Sequence, residues 1–168
     1  MVTRFLNWLM WWFEYVLAYA FIAAVALNFV NVVGRYGFGF TILSADELQI
    51  FIMIFMTFLG AAVVAWANQH LRMDVLVNAL PHSLRRLLRV VELVVIIALC
   101  AFVAWNSTYY ADQMFNIGRV SDMARVPMWI PHGTVAVGFG LMALITFLQL
   151  VEAVTGRAPV DGKPGGEV

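Results

Sequence analysis

Residues 48–71 contain the sequence LQIFIMIFMTFLGAAVVAWANQHL, a run of 24 residues without a charge between Glu47 and Arg72. An α-helix needs about 20 mostly apolar residues to cross a hydrocarbon core about 30 Å thick. Inside that core every backbone amide must find its hydrogen-bond partner within the segment, which an α-helix provides. The stretch therefore predicts a transmembrane helix and places the protein in a membrane.

Three further uncharged stretches share this length and apolar composition. Together with 48–71 they predict spans at about 15–34, 93–111 and 127–151. We therefore predict an all-α membrane protein with four transmembrane helices in a single membrane domain over residues 1–155. Residues 156–168 are rich in glycine, proline and charge, and this composition is typical of a disordered tail.

The composition excludes several classes of protein. Hydrophobic residues make up 63% of the chain and charged residues 12%, whereas a soluble domain averages about 45–50% and about 25%. A soluble globule, a disordered chain and a nucleic-acid-binding protein are therefore excluded. The single cysteine, Cys100, excludes a disulfide framework and a cysteine-based metal site. Ten basic residues balance ten acidic ones, so the net charge indicates no polyanionic partner.

The basic residues outside the spans predict the orientation. The N-terminal segment, the connection after the second span and the tail carry seven Lys and Arg residues, against three on the opposite side: Arg35, Arg119 and Arg125. Loops rich in Lys and Arg stay in the cytoplasm. We therefore expect both termini in the cytoplasm and residues 156–168 to form a cytoplasmic tail.

Two segments beside the spans are amphipathic or aromatic. Before the third span, Leu84 and Leu87 fall on the helix face opposite Arg85 and Arg89. Such a segment is expected to lie in the membrane interface before the chain turns into the span. At the start of the first span four aromatic residues share one face, as in an aromatic belt: Trp8, Trp12, Tyr15 and Tyr19.

Polar residues at the outer end of the first span need an explanation. Asn28, Asn31 and Arg35 are spaced three and four residues apart and share one helix face. An unpaired charge at a membrane boundary is costly, and a neighbour of opposite sign relieves the cost. One interpretation is an ion pair of Arg35 with Glu47 or Asp46 that closes the first helical hairpin. The other is a polar contact with a partner protein.

The sequence does not support a catalytic site or a cofactor site. A membrane haem needs two facing histidines, but His70 ends the second span on one side and His132 begins the fourth on the other. Glu14 lies at the first turn of a span and not in mid-membrane, which argues against proton coupling. We therefore predict a protein that is not an enzyme and has no metal or cofactor site.

A series of short motifs follows in order along the chain, from about residue 28 to residue 150. They are Asn31-Val32-Val33-Gly34-Arg35-Tyr36, Glu47-Leu48, Phe58-Leu59-Gly60-Ala61-Ala62, His70-Leu71-Arg72-Met73-Asp74-Val75-Leu76 and Pro127-Met128-Trp129. Their order and spacing within a four-helix frame resemble the DctQ-like family. That family is the small membrane subunit of TRAP (tripartite ATP-independent periplasmic) transporters.

The resemblance implies a function and partners. In this family a secreted binding protein captures a substrate, commonly an organic acid, in the periplasm, and a large membrane subunit moves it inward, driven by sodium. The small subunit supports the large one and helps to dock the binding protein. The implied partners are therefore the large TRAP membrane subunit, the periplasmic substrate-binding protein and membrane lipid. Sodium is expected to bind the large subunit, and the implied location is the bacterial inner membrane.

The motifs, together with the small and polar positions of the spans, select residues for a structural or subunit-interface role. Small residues let membrane helices approach closely, and prolines are tolerated in a first helical turn. The selected residues are Asn31, Arg35, Glu47, Gly60, His70, Arg72, Asp74, Pro127, Trp129 and Gly140.

Two other functions remain as alternatives. A small four-helix exporter would need an acidic residue in mid-membrane, and the spans contain none. A membrane anchor subunit of a redox complex would need paired histidines or cysteines. Both alternatives are weaker than the small-subunit interpretation.

Overall fold

The computed structural model describes residues 2–67 and 82–155, and these residues form four long helices. Helix α1 covers Val2–Val33 and continues as a π-helical turn over Gly34–Phe38. Helix α2 covers Ala45–Trp66, α3 covers His82–Ile117, and α4 covers Trp129–Thr155. Each contains a segment long and apolar enough to cross a membrane, which confirms the prediction of an all-α fold with four long apolar helices, all of them candidate membrane spans.

Two helices extend well beyond the predicted spans of 15–34 and 93–111. Helix α1 begins 13 residues earlier, at Val2, because the charge-free stretch marks the hydrocarbon thickness and not the end of the helix. Helix α3 has 36 residues and includes the segment that was expected to turn in the interface. That turn is absent from the described part of α3, which is one continuous helix about 54 Å long.

The helices pack in the spatial order α1, α2, α4, α3. Helix α1 packs on α2, α2 on α4, and α4 on α3, and these are the extensive pairings among residues 2–67 and 82–155. The central helices α2 and α4 therefore join two outer ones. As a result, few residues of α1 and α3 are buried. In the most apolar 18-residue segment of each helix, 6% of the residues are buried in α1 and 11% in α3, against 22% in α2 and 17% in α4.

A small core lies at the end of the molecule where α1 begins and α2 and α4 end. Leu6 and Met10 of α1 pack there with Trp66 of α2 and Ile145 of α4. The indole Nε1 of Trp66 donates a hydrogen bond to Oδ1 of Asn7, at 2.8 Å. Because apolar side chains gain little by leaving lipid for protein, a polar bond of this kind matters for holding membrane helices together. The core and its bond connect three of the four helices.

Helices α2 and α4 lie close together at Gly138. A Cβ atom built on this buried glycine would lie 2.7 Å from the carbonyl oxygen of Phe58 and 2.9 Å from its Cβ. No side chain fits in that space unless the two backbones move apart. The rings of Phe58 and Phe139 pack beside the crossing, with centroids 5.5 Å apart. Gly60 and Gly140 were predicted as interface residues, whereas Gly138 was not.

Gly60 and Gly140 have different surroundings. A Cβ on Gly60 would meet Cδ1 of Leu17 at 3.8 Å, an ordinary contact with α1. A Cβ on Gly140 would meet no described atom within 4 Å. The interface role predicted for these two residues therefore concerns a surface outside the α2–α4 contact and stays a prediction.

Substitution of Gly138 by alanine is expected to destabilise the protein, because the added methyl group collides with the backbone of α2. The loss of unfolding free energy should be about 1–3 kcal/mol, as for other overpacked sites. Thermal unfolding of the purified chain in detergent measures it. The matched control is Gly140→Ala, which should be neutral or stabilising because alanine favours a helix over glycine by about 0.5–1 kcal/mol. Equal effects of the two substitutions would contradict the assignment of Gly138 as the crossing point.

The predicted orientation can be tested by cysteine labelling in the connection before α4 and at the end of α4. Ser121 is buried and unsuitable for labelling, whereas Asp122 and Thr155 are both exposed. In a Cys100→Ala background, Asp122→Cys should react with a membrane-impermeant maleimide in intact cells, and Thr155→Cys should react only after the cells are opened. The reverse result would overturn the orientation inferred from the positive-inside rule.

Candidate functional site

The connection between α3 and α4 is an ordered hairpin over residues 118–128, called the α3–α4 hairpin below. Gly118, with a φ of 66°, ends α3 in the left-handed conformation that glycine adopts without strain. The backbone N–H of Ser121 donates to the carbonyl of Val126 at 2.9 Å, and that of Met128 donates to Arg119 at 2.9 Å. Two backbone bonds thus hold the strands of the hairpin together.

The tip of this hairpin is held by a side chain as well. The N–H of Val126 donates to Oγ of the buried Ser121 at 3.1 Å. Between these residues, Arg125 has a φ of 54°, a conformation that few non-glycine residues adopt. The surrounding hydrogen bonds fix that conformation. The hairpin therefore presents its exposed residues, among them Arg119, Asp122 and Arg125, in a fixed arrangement.

Glu47 ties the hairpin to α2. Its Oε2 accepts the backbone N–H of Ala124 at 2.7 Å and that of Met123 at 3.0 Å. Hydrogen bonds to an ionised carboxylate are shorter and stronger than bonds between neutral groups. The carboxylate also lies in the first turn of α2, where the helix dipole favours negative charge. One side chain therefore joins the start of α2 to the loop between α3 and α4.

This arrangement corrects the proposed ion pair of Arg35. The predicted partner, Glu47, bonds to the backbone of the α3–α4 hairpin. Arg35 is exposed on the π-helical turn and forms no ion pair within residues 2–67 and 82–155. The other predicted partner, Asp46, is exposed as well. The predicted ion pair with Glu47 was therefore wrong, because the hydrogen-bond partners of Glu47 lie 76 and 77 residues further along the chain. A contact of Arg35 with a partner protein stays a prediction.

Asn31 has a structural role in the connection between α1 and α2. It is buried, and its Oδ1 accepts the backbone N–H of Ile42 at 2.9 Å. Next to it, Gly34 lies against the ring of Phe40, where a Cβ would come within 2.9 Å of ring atoms. The N–H of Phe40 donates to the carbonyl of Gly34 at 3.1 Å. Asn31 and Gly34 thus fold the connection back onto the end of α1.

Of the other residues predicted to have a structural or interface role, two lie at or just before the start of α4 and three lie outside the described residues. Pro127 pairs with Val120 in the α3–α4 hairpin, and α4 begins at Trp129, two residues later. The Trp129 ring packs edge to face against Phe115 of α3, with centroids 6.0 Å apart. His70, Arg72 and Asp74 lie outside the described residues, as does the predicted tail. Among the residues that the structure describes, no group of three or more His, Cys, Asp or Glu side chains could hold a metal ion.

Two further polar contacts were not predicted from the sequence. Nε2 of Gln149 on α4 donates to the carbonyl of Ala65 on α2 at 3.2 Å, beside the Trp66–Asn7 bond. A glutamine near the end of an apolar run is a weak signal, because it also suits a solvent-exposed position. Ser121 gave no signal, because serine is common in loops.

The sequence matches known proteins over most of its length. The family described as tripartite ATP-independent periplasmic transporters, DctQ component, matches residues 24–156. The ectoine TRAP transporter small permease protein TeaB of Halomonas elongata is 26% identical over 127 residues, which cover 76% of this chain and 66% of the relative. The C4-dicarboxylate TRAP transporter small permease protein DctQ of Vibrio cholerae is 29% identical over 169 residues, covering 86% and 72%.

A third relative differs in size. The isethionate TRAP transporter permease protein DctMQ of Oleidesulfovibrio alaskensis is 25% identical over 117 residues. The aligned region covers 70% of this chain but 18% of that relative. The similar region is therefore a small part of a much longer permease chain.

Replacing Glu47 by alanine should loosen the α3–α4 hairpin, because the backbone N–H groups of Met123 and Ala124 lose their charged acceptor. We expect the amides of Met123 and Ala124 to exchange hydrogen at least about tenfold faster, measured by mass spectrometry after pulse deuteration. The matched control is Asp46→Ala, which removes the adjacent exposed carboxylate and should leave both amides protected. Unchanged protection in Glu47→Ala would show that the carboxylate does not hold the hairpin.

Proposed function

Because this chain belongs to the DctQ component family of TRAP transporters, we propose that it is the small permease subunit that supports a large permease subunit and helps to dock a periplasmic binding protein. The match over residues 24–156 carries this proposal. Membership of a family of transporter components also confirms that the chain is not an enzyme. Its transmembrane helices agree with the role of a permease component.

The distribution of polar groups favours a structural role for this chain in the transporter. It argues against a solute pathway within the chain. In the described residues, polar side chains bond between elements at the two ends of the helices, as Asn31, Glu47 and Trp66 do. Within the spans, Thr57, Asn106 and Thr108 bond to carbonyl oxygens four residues earlier on their own helices. A pathway for a polar solute needs polar groups that converge near mid-membrane. We therefore assign the pathway to the large subunit.

The outer helices provide surfaces for a membrane partner. Helices α1 and α3 bury little of their length within the chain, and large apolar side chains such as Phe29 and Phe102 are exposed on them. The relative DctMQ is named as one permease protein, and the region similar to this chain is a small part of it. Both observations support direct packing of this chain against a large permease subunit. In a single-chain relative the two parts are covalently joined, which keeps them adjacent.

The α3–α4 hairpin is the surface we assign to the binding protein. It is held to α2 through Glu47 and exposes Arg119 and Arg125 at one end of the molecule. Charged groups at the rim of an interface mainly raise the association rate and fix the orientation of the partner. A rigid hairpin with exposed cations suits brief, repeated docking. One side of the predicted membrane protein carries seven Lys and Arg residues, and the side with the hairpin carries three. This difference supports a periplasmic position for the hairpin, in a bacterial inner membrane.

The transported solute is proposed as a small polar compound such as an organic acid. The names of the relatives specify ectoine, C4-dicarboxylates and isethionate, which are small polar solutes. Sodium is proposed to drive uptake by binding to the large subunit. This proposal is favoured over a self-sufficient exporter or an anchor of another complex, because the family match covers most of the chain.

Reconstitution into liposomes tests the proposal. With a sodium gradient and the binding protein added outside, this chain alone should take up no radiolabelled solute, since its spans offer no converging polar groups. The chain together with the large subunit should restore uptake, and omission of this chain should abolish it. The control is the same three-component sample without a sodium gradient. Uptake by this chain alone, or full uptake without it, would contradict the proposal.

A further inference from the structure

A long groove runs between α1 and α2 on one side of the molecule. Its volume is about 980 Å³, at the upper end of the roughly 300–1,000 Å³ that is typical of ligand sites. Apolar side chains form its walls, with Phe21 and Val25 on α1 and Met53 and Met56 on α2. The role proposed above for this chain does not use the groove.

The groove is as long as one leaflet of a bilayer. On α1 it extends from Phe21 to Val32, about 16 Å at the rise of an α-helix. Half of a hydrocarbon core is about 15 Å thick. Beyond Phe21 the two helices pack directly, since Leu17 lies against Gly60. A partner helix that crosses the whole membrane would need a groove of about twice this length. One lipid chain of a single leaflet fits the observed length.

The polarity of the groove changes along its length. Apolar residues form most of the part near the middle of the membrane, where the hydroxyl of Thr57 donates to the carbonyl of Met53 on its own helix. Three polar residues lie together near the start of α2: Asn28, Asp46 and Gln49. Nδ2 of Asn28 donates to Oε1 of Gln49 at 3.4 Å, a long bond that leaves further donors and acceptors on both amides. An apolar wall with hydrogen-bonding groups at one end matches the acyl chain and head group of a phospholipid.

The charge at the polar end selects among head groups. The carboxylate of Asp46 is exposed there, and no basic side chain is among the described residues that line the groove. A carboxylate attracts an ammonium group and repels an anionic head group. The amide N–H groups of Asn28 and Gln49 can donate to phosphate or ester oxygens.

We propose that this groove binds one phospholipid with a primary-amine head group, from the leaflet that surrounds the start of α2. The acyl chain lies along Val25 and Met53, and the ammonium group lies beside Asp46. The lipid fills the space where α1 separates from α2 and so supports the half of α1 that the chain itself leaves uncovered. The site belongs to this chain and does not depend on the proposed transporter function.

Native mass spectrometry of the purified chain, delipidated in detergent, tests the head group. Phosphatidylethanolamine and phosphatidylglycerol with identical acyl chains are the probes. We expect one phosphatidylethanolamine per chain, bound roughly two- to fivefold more tightly than phosphatidylglycerol, the effect of one partly exposed charge pair. Asp46→Asn should remove this preference, and Asp112→Asn, which alters an exposed acid at the end of α3, should keep it. Equal binding of both lipids by the unmodified chain would overturn the proposal.

Blocking the groove tests the position of the acyl chain. Val25 and Val137 are both 53% exposed, but only Val25 lines the groove. Val25→Trp should abolish stoichiometric binding of both lipids, and Val137→Trp on α4 should leave it unchanged. Met53→Trp fills the groove from the opposite wall and should reproduce the loss, with circular dichroism confirming that the helices are intact. Equal retention in all three variants would show non-specific annular lipid and overturn the proposal.

A partner helix in the groove would give a different result. Val25→Trp would then leave lipid binding unchanged and prevent copurification of the large permease subunit. That outcome would overturn the lipid assignment and leave the proposed function of the chain intact.

Discussion

The contact of Gly138 with the backbone at Phe58 joins the two halves of this protein. Helices α1 and α2 form one half, α3 and α4 the other, and the crossing of α2 and α4 connects them. In lipid there is no hydrophobic gain in bringing apolar helices together, so association depends on close packing and a few polar bonds. A glycine at the crossing allows the backbones to approach, and α1 and α3 each pack on one helix of this central pair.

Polar bonds at both ends of the helices complete the arrangement. At one end Trp66 and Gln149 connect α2 with α1 and α4. At the other end Glu47 connects α2 with the hairpin that precedes α4. Helix α2 takes part in all of these bonds, which makes it the organising element of the chain. Within the spans, Thr57, Asn106 and Thr108 bond to their own helices. This suits the proposed role of a subunit that supports a transporter and does not itself carry the solute.

The open row of helices has a consequence for how the protein occupies the membrane. A closed four-helix bundle would bury one face of every helix, whereas here α1 and α3 each pack extensively on one neighbour among the described residues. Their other faces must meet lipid or another membrane protein. The groove between α1 and α2 is concave over the length of a single leaflet and polar at its end, which is why a lipid and not a helix is assigned to it.

The amino-acid sequence by itself determined the membrane class, the four long apolar helices that residues 2–67 and 82–155 form, and the family. Hydropathy is a local property, and the thickness of the bilayer converts an uncharged run such as 48–71 directly into a span. The motif around Asn31 and Gly34 was also visible, although its role in folding back the α1–α2 connection was not. Only the tertiary structure decided that Glu47 bonds to Met123 and Ala124 instead of Arg35, and that Gly138 rather than Gly140 forms the crossing. These contacts join residues far apart in the chain, and the face that a helix turns to its neighbour in lipid depends on specific packing that hydropathy does not encode.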